Sequence, residues 1–262
     1  MDVALVIGCA RSGTSILGEL LNAHPSIKYL FEAGTAWKLA GAGADGSHRL
    51  VAAHATPEVR GRIREWFRAQ QGPAALLVEK NPRNILRVPF LRAVFPEAAI
   101  LHIVRDGRDV ACSLMPGIGG ARWRHLKPPS WQRLFAEHEG IVRCALAWRE
   151  TLEIALDDLS EAPHLQVRYE DLVSRPNDIA GDVLRYLRLS MAPAVERFCE
   201  KVQDSTGGSY QAEHQVKWYR SDHSRRVGRW RENLSLDEQR TVNELLGPLL
   251  RRLDYPYDAG PL

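Results

Sequence analysis

Short apolar runs alternating with helical patterns predict an α/β fold, a parallel sheet with helices on both faces and a helical C-terminal part. Two further observations support that class. The runs, Val3–Ile7 foremost, lack in–out alternation, as expected of parallel strands covered on both sides. Each run also ends in a polar cluster, and open α/β sheets bind ligands outside the carboxyl ends of their strands. A chain of 262 residues fits one domain, residues 1–262.

Val3–Ile7 is the first strand, followed by the loop Gly8–Ser15. Thr14–Ala23 places Ile16, Leu17, Leu20 and Leu21 at the period of a helix packed on a sheet, and His24-Pro25 ends it. Ile27–Phe31 is the second strand, closing at Glu32, and Pro57–Gln70 is a helix opened by its proline. The third strand, Ala74–Glu79, runs into Lys80-Asn-Pro-Arg83 and a helix to about Phe95. Ala98–Val104 is the fourth, followed by Arg105-Asp-Gly-Arg-Asp109 and a helix through Leu114. Trp131–Leu156 reads as one long helix, His164–Tyr169 as the fifth strand and Ser235–Leu250 as the closing helix.

A net charge of +3 is too mild for a surface that grips a polyanion, so no nucleic-acid partner is expected. Four scattered cysteines without a CxxC pair offer neither a zinc framework nor a disulfide scaffold, which suits a reducing compartment. No apolar run approaches the roughly 18 residues of a membrane helix, and the first has no basic n-region. A cytoplasmic protein without a membrane span is the expectation; oligomeric state is not legible.

The chemistry starts in the first loop. Gly8 to Ser15 has nearly the G-x4-G-K-[ST] spacing of a phosphate-cradling loop, with Thr14 where lysine belongs and Arg11 as its one cation. Loop amides and the following helix terminus still form an anion site. The fourth strand ends in Arg105 rather than a magnesium-holding aspartate, and Ser113 follows eight residues on. An arginine and a hydroxyl so placed suit a second phosphate.

These two segments, Gly8-Cys-Ala-Arg-Ser-Gly-Thr-Ser15 and Ile103-Val-Arg-Asp-Gly-Arg-Asp-Val-Ala-Cys-Ser113, resemble the sulfotransferases that use 3′-phosphoadenosine 5′-phosphosulfate (PAPS). The likeness continues through Asn22-Ala-His-Pro25, Val167-Arg-Tyr-Glu-Asp-Leu172 and Val227-Gly-Arg-Trp230, and is nearest the tyrosylprotein and carbohydrate branch. It implies a three-layer, P-loop NTPase-like fold and O-sulfation of a small molecule, glycan, lipid or tyrosine, with no metal. It implies that Arg11, Ser12, Gly13, Thr14 and Ser15 surround the 5′-phosphosulfate, and that Arg105 and Ser113 hold the 3′-phosphate. Tyr169 then lies near the nucleotide, and Arg226 and Gly228 belong to a loop closing over it. Lys80 resembles a second cation on the bridging oxygen. Glu32, seven residues beyond Pro25, resembles the catalytic base; alternatively it caps a short helix Ala33–Leu39, and His24, His54 or His125 takes the proton.

Bland readings suit the rest: Trp148, Trp218 and Trp230 as packing residues, Glu170-Asp171 as a helix cap. Two rivals stand, a small-molecule kinase with a degenerate loop and a non-catalytic nucleotide-binding module using Arg220–Arg231.

Overall fold

The computed structural model describes residues 2–41, 43, 45–203 and 226–257. Five strands, β1 (Asp2–Ile7), β2 (Ile27–Phe31), β3 (Leu76–Lys80), β4 (Ala99–Val104) and β5 (Leu165–Arg168), form one sheet in the order β2-β3-β1-β4-β5. Every pairing is parallel, with Val6 opposite Lys80 on one side and Leu101 on the other. Strand order therefore reverses at β1, and this switch point is where such sheets bind ligands.

Helices cover both faces. On one lie α1 (Thr14–Asn22), α8 (Tyr169–Ser174), α9 (Pro176–Tyr186) and α10 (Pro193–Gln203), burying Ala4, Val6, Val78, Leu101 and Ile103. On the other lie α3 (Pro57–Gln71), α4 (Val88–Val94), α5 (Gly107–Ile118), α7 (Gly140–Leu159) and the last helix, α12 (Leu236–Arg252), over Leu5, Ile7, Leu77, Ile100 and Val104. The short helices α2 (Gly34–Lys38), α6 (Trp131–Glu137) and α11 (Trp230–Asn233) complete the described set. Ser235 and Glu238 start α12 with a reciprocal capping box.

Several boundaries differ from the sequence expectation, each for a local reason. β3 runs through Lys80, because the Lys80 carbonyl accepts the Glu32 N–H at 2.8 Å and prolongs the ladder. The helix expected up to Phe95 is a 3-10 turn, Pro82–Leu86, and then α4; Pro89 cannot continue the first and opens the second. The long helix from Trp131 breaks into α6 and α7 where Gly140 takes φ +55°, and the Arg143 guanidinium fills the break by donating to the carbonyls of Ile118, Gly120, Phe135 and His138. α5 outlasts Leu114 and contains Pro116, while Tyr169 opens α8 rather than ending β5.

Trp148 packs on Gly107 and Trp230 is buried, as packing residues should be. Arg168, not Glu170, is the N-cap of α8, and Glu170 ties neighbouring elements together instead: its Oε1 accepts the Asp106 N–H at 3.0 Å and its Oε2 the Tyr255 hydroxyl at 3.0 Å. Trp218, Arg220 and Arg225 lie outside the described residues. Among the described residues no helix is long and apolar enough to cross a membrane.

Candidate active site

The central loop is shaped by two glycines. A Cβ at Gly8 would stand 2.7 Å from the Ile103 carbonyl oxygen, and one at Gly13 (φ +97°) 2.4 Å from the Tyr169 ring. Only glycine allows so close an approach between β1, β4 and the start of α8. Gly13 caps α1 without a side-chain hydrogen bond, so the first amides of that helix keep no intrahelical acceptor and face the loop. Ser12 and Thr14 are buried, and Arg11, at φ +74°, is partly buried.

The two segments singled out by spacing meet. Arg11 Nε donates to Ser113 Oγ at 2.9 Å, and Arg105 Nη1 donates to the Arg11 carbonyl at 3.2 Å. Arg105 also donates to the Arg226 carbonyl, lies 4.4 Å over the Tyr169 ring and pairs with Asp109 at 3.5 Å. Asp109 in turn accepts the N–H groups of Gly228 (2.8 Å) and Trp230 (3.0 Å), which ties the 226–230 segment to α5. Asp109 was legible only as a helix-start residue; its role across 119 positions needs the fold.

Like charges crowd together here. Burial, then the nearby Arg226 and Arg105 charges, push the Arg11 guanidinium below its usual pKa. Arg105 is 6% exposed, and its Nε has no hydrogen-bond partner among the described residues. Three guanidiniums beside free helix-start amides fit an anionic ligand, and Arg105 keeps a buried donor for it.

Lys80 and Glu32 stand on the β3–β2 side. Lys80 Nζ is fully buried, 2.8 Å from Glu32 Oε1 and 3.6 Å from the Phe31 ring centroid. Burial lowers the Lys80 pKa, while Glu32, and less strongly Glu79 and Glu19, work against that shift. Glu32 does not cap the following helix: Ala33 is the N-cap of α2 and no side chain bonds it. The Glu32 side chain remains 46% exposed, open to a second molecule.

The histidines separate cleanly. His24 has both ring nitrogens engaged, by the Ser190 carbonyl and the Ser26 N–H, and His54 bonds back to Val51. His125 is half-buried beneath α5, and the charges of Arg11 and Glu32 both act on it, after burial, which lowers its pKa. His125 thus stands near both Arg11 and Glu32.

Sequence reasoning missed Glu79, seeing only one charge in a polar cluster. It is fully buried and accepts from the Ala33 N–H, Trp37 Nε1 and Asn84 Nδ2. A carboxylate inside an otherwise apolar strand was the available signal, since such a group must find internal donors.

Known proteins resemble this chain in sequence and in fold. Protein-tyrosine sulfotransferase 1 of Danio rerio is 24% identical over all of this chain and 74% of its own length. Nodulation protein NoeE of Sinorhizobium fredii is 29% identical over 97% of this chain, which spans 66% of that protein. Among solved structures, the sulfotransferase domain from the curacin biosynthetic pathway shares the fold with a TM-score of 0.63 at 16% identity, covering 98% of this chain and 99% of that one. Mouse sulfotransferase SULT7A1 complexed with PAP gives 0.52 at 14% identity, covering 97% and 86%. The profile described as the sulfotransferase family matches residues 4–193, well over half the chain, and with the glycine-shaped loop and its arginines at the switch point the protein belongs to the sulfotransferase family.

Proposed function

We propose that this sulfotransferase takes its sulfuryl group from PAPS and delivers it to a hydroxyl of a small molecule, glycan, lipid or tyrosine. The observation that carries the proposal is the meeting of Arg11, Ser113 and Arg105 at one sheet edge, with a buried Arg105 donor left over. A ribonucleotide phosphorylated at both ends needs such paired anion sites on one surface. The solved complex of the mouse neighbour with PAP supports the same donor.

On this reading Ser12, Gly13, Thr14 and Ser15 bind the 5′ end through amides and hydroxyls, while Arg105 and Ser113 hold the 3′-phosphate. Arg11 releases Ser113 and neutralises charge that develops on the leaving phosphate. Tyr169 backs the Arg105 guanidinium, and the Arg226–Gly228 segment, anchored by Asp109, closes over it. PAPS, when bound, supplies the sulfuryl group and departs as adenosine 3′,5′-bisphosphate. Lys80, held by Glu32, is a buried cation for the bridging oxygen, and the exposed Glu32 carboxylate takes the acceptor proton. His125 is the second candidate for that proton, because Arg11 and Glu32 both act on it.

Calorimetry tests the donor. Submicromolar binding of adenosine 3′,5′-bisphosphate with weak binding of ATP and oligonucleotides is the expected result. Tighter ATP binding with magnesium-dependent turnover would replace it with the kinase alternative, and binding without any turnover would leave a nucleotide-binding module.

A further inference from the structure

Glu32 is a non-glycine residue in the left-handed region, at φ +46°. That conformation costs an L-residue about 1–2 kcal/mol and persists only where neighbours hold it. Its neighbours are the last two residues of β3. The Glu32 N–H donates to the Lys80 carbonyl at 2.8 Å, and the next N–H, that of Ala33, donates to Glu79 Oε1 at 3.1 Å. The Glu32 carbonyl accepts from Gly34 N–H, closing the turn.

Strand alternation sends the two β3 side chains to opposite faces. Lys80, like Val78, points towards α1, while Glu79, like Leu77, points towards the α4 and α7 layer. The Glu32 turn is thus clamped from both sides: Lys80 Nζ grips its carboxylate, and Glu79 grips the backbone just after it. Glu79 is itself braced by Trp37 Nε1 at 2.8 Å and by Asn84 Nδ2 at 2.9 Å. The strand end, the start of α2 and the 3-10 turn therefore converge on one buried carboxylate.

We propose that Glu79 is the positioning residue of the acceptor side, fixing the turn that aims Glu32 at Lys80 and at the incoming hydroxyl. This rests on the reading of Glu32 as base. Glu79 touches no reacting atom. Burial raises its pKa to about 7, opposed by its donors and by the facing charges of Lys80 and Arg87. In either protonation state Oε1 stays available to the Ala33 N–H. Reach, not charge, is what Glu79 contributes.

Two conservative variants separate those properties. Glu79→Asp keeps the charge but withdraws the carboxyl by one bond, and a misplacement of about 1 Å near reacting groups can cost up to about 10²-fold. We expect a fall in kcat of about 10- to 100-fold with the Kd for adenosine 3′,5′-bisphosphate unchanged. Glu79→Gln keeps the reach and stays within a few-fold of wild type. Wild-type kcat in Glu79→Asp, a parallel loss of bisphosphate affinity, or a Glu79→Gln defect as large as that of Glu79→Asp would overturn the proposal. Glu32→Gln run alongside distinguishes the two levels. Full activity there removes the base assignment itself, whereas an inactive Glu32→Gln beside an unaffected Glu79→Asp removes only the positioning role.

Discussion

The two halves of the site are built on opposite principles. Around the central loop guanidiniums crowd together: the charges of Arg105 and Arg226 both act on Arg11, while Asp109 pairs with Arg105 and holds the 226–230 segment. On the β2–β3 side opposite charges pair directly, one buried ammonium against one half-exposed carboxylate. A crowd of like charges costs stability that an anion restores, which suits a charged ligand. A matched pair costs less and can be retained by a neutral guest, which suits a hydroxyl acceptor. The comparison predicts that substitutions should divide by kinetic constant: binding of the nucleotide on the first side, turnover on the second.

The largest effect should come from the matched pair. Lys80→Ala removes one preorganised donor and strands Glu32, and kcat should fall about 10²–10³-fold while the bisphosphate Kd stays within a few-fold. Steady-state kinetics beside calorimetry would show it; a loss seen mainly in Kd would erase the division. Next comes Arg105→Ala, which removes charged hydrogen bonds worth about 1.5–3 kcal/mol, or about 10- to 100-fold in affinity. The loss should be large for adenosine 3′,5′-bisphosphate and small for the analogue lacking the 3′-phosphate, and equal losses would sever Arg105 from that end.

Gly13→Ala sharpens the contrast through the backbone. Its Cβ would meet the Tyr169 ring at 2.4 Å with φ at +97°, so we expect a loss of about 1–3 kcal/mol in denaturant unfolding together with weaker nucleotide binding. Unchanged stability would mean that Tyr169 moves aside freely.

The smallest effect lies in the frame that both halves share. His102 on β4 is fully buried, and neither ring nitrogen has a hydrogen-bond partner among the described residues. Burial, then His164, lowers its pKa to about 3. The unfolded chain therefore binds a proton that the folded protein refuses, and stability present above about pH 6.5 is lost as pH falls towards 3. Between pH 7 and pH 5 this amounts to about 2 kcal/mol at most, and His102→Leu should remove that part of the pH dependence. Parallel unfolding curves for the two proteins at both pH values would contradict it.

How far the sequence reached follows the same division. The central-loop side was legible as geometry because its parts are local: a strand, a loop of fixed length and a helix leave Gly8, Arg11 and Gly13 few places to go. Arg105 and Ser113 are likewise tied by one strand–helix junction, though the Arg11–Ser113 contact across 102 positions was not foreseeable. On the β2–β3 side only residue types were visible. Lys80 was placed beyond its strand, Glu79 was passed over, and three histidines stood level until His24 and His54 proved engaged elsewhere.

The chain on its own determined the parallel α/β class and the loop at the first strand, because apolar periodicity and glycine spacing act over a few residues. Strand order decided the rest. Placing β3 and β4 on either side of β1 brings Lys80 and Arg105 to flank one loop, and placing β2 outside β3 lets Glu79 and Lys80 clamp the turn at Glu32. Those contacts depend on pairing between segments some 50 to 100 residues apart, where no local propensity acts and only burial of the sheet's two faces selects the arrangement.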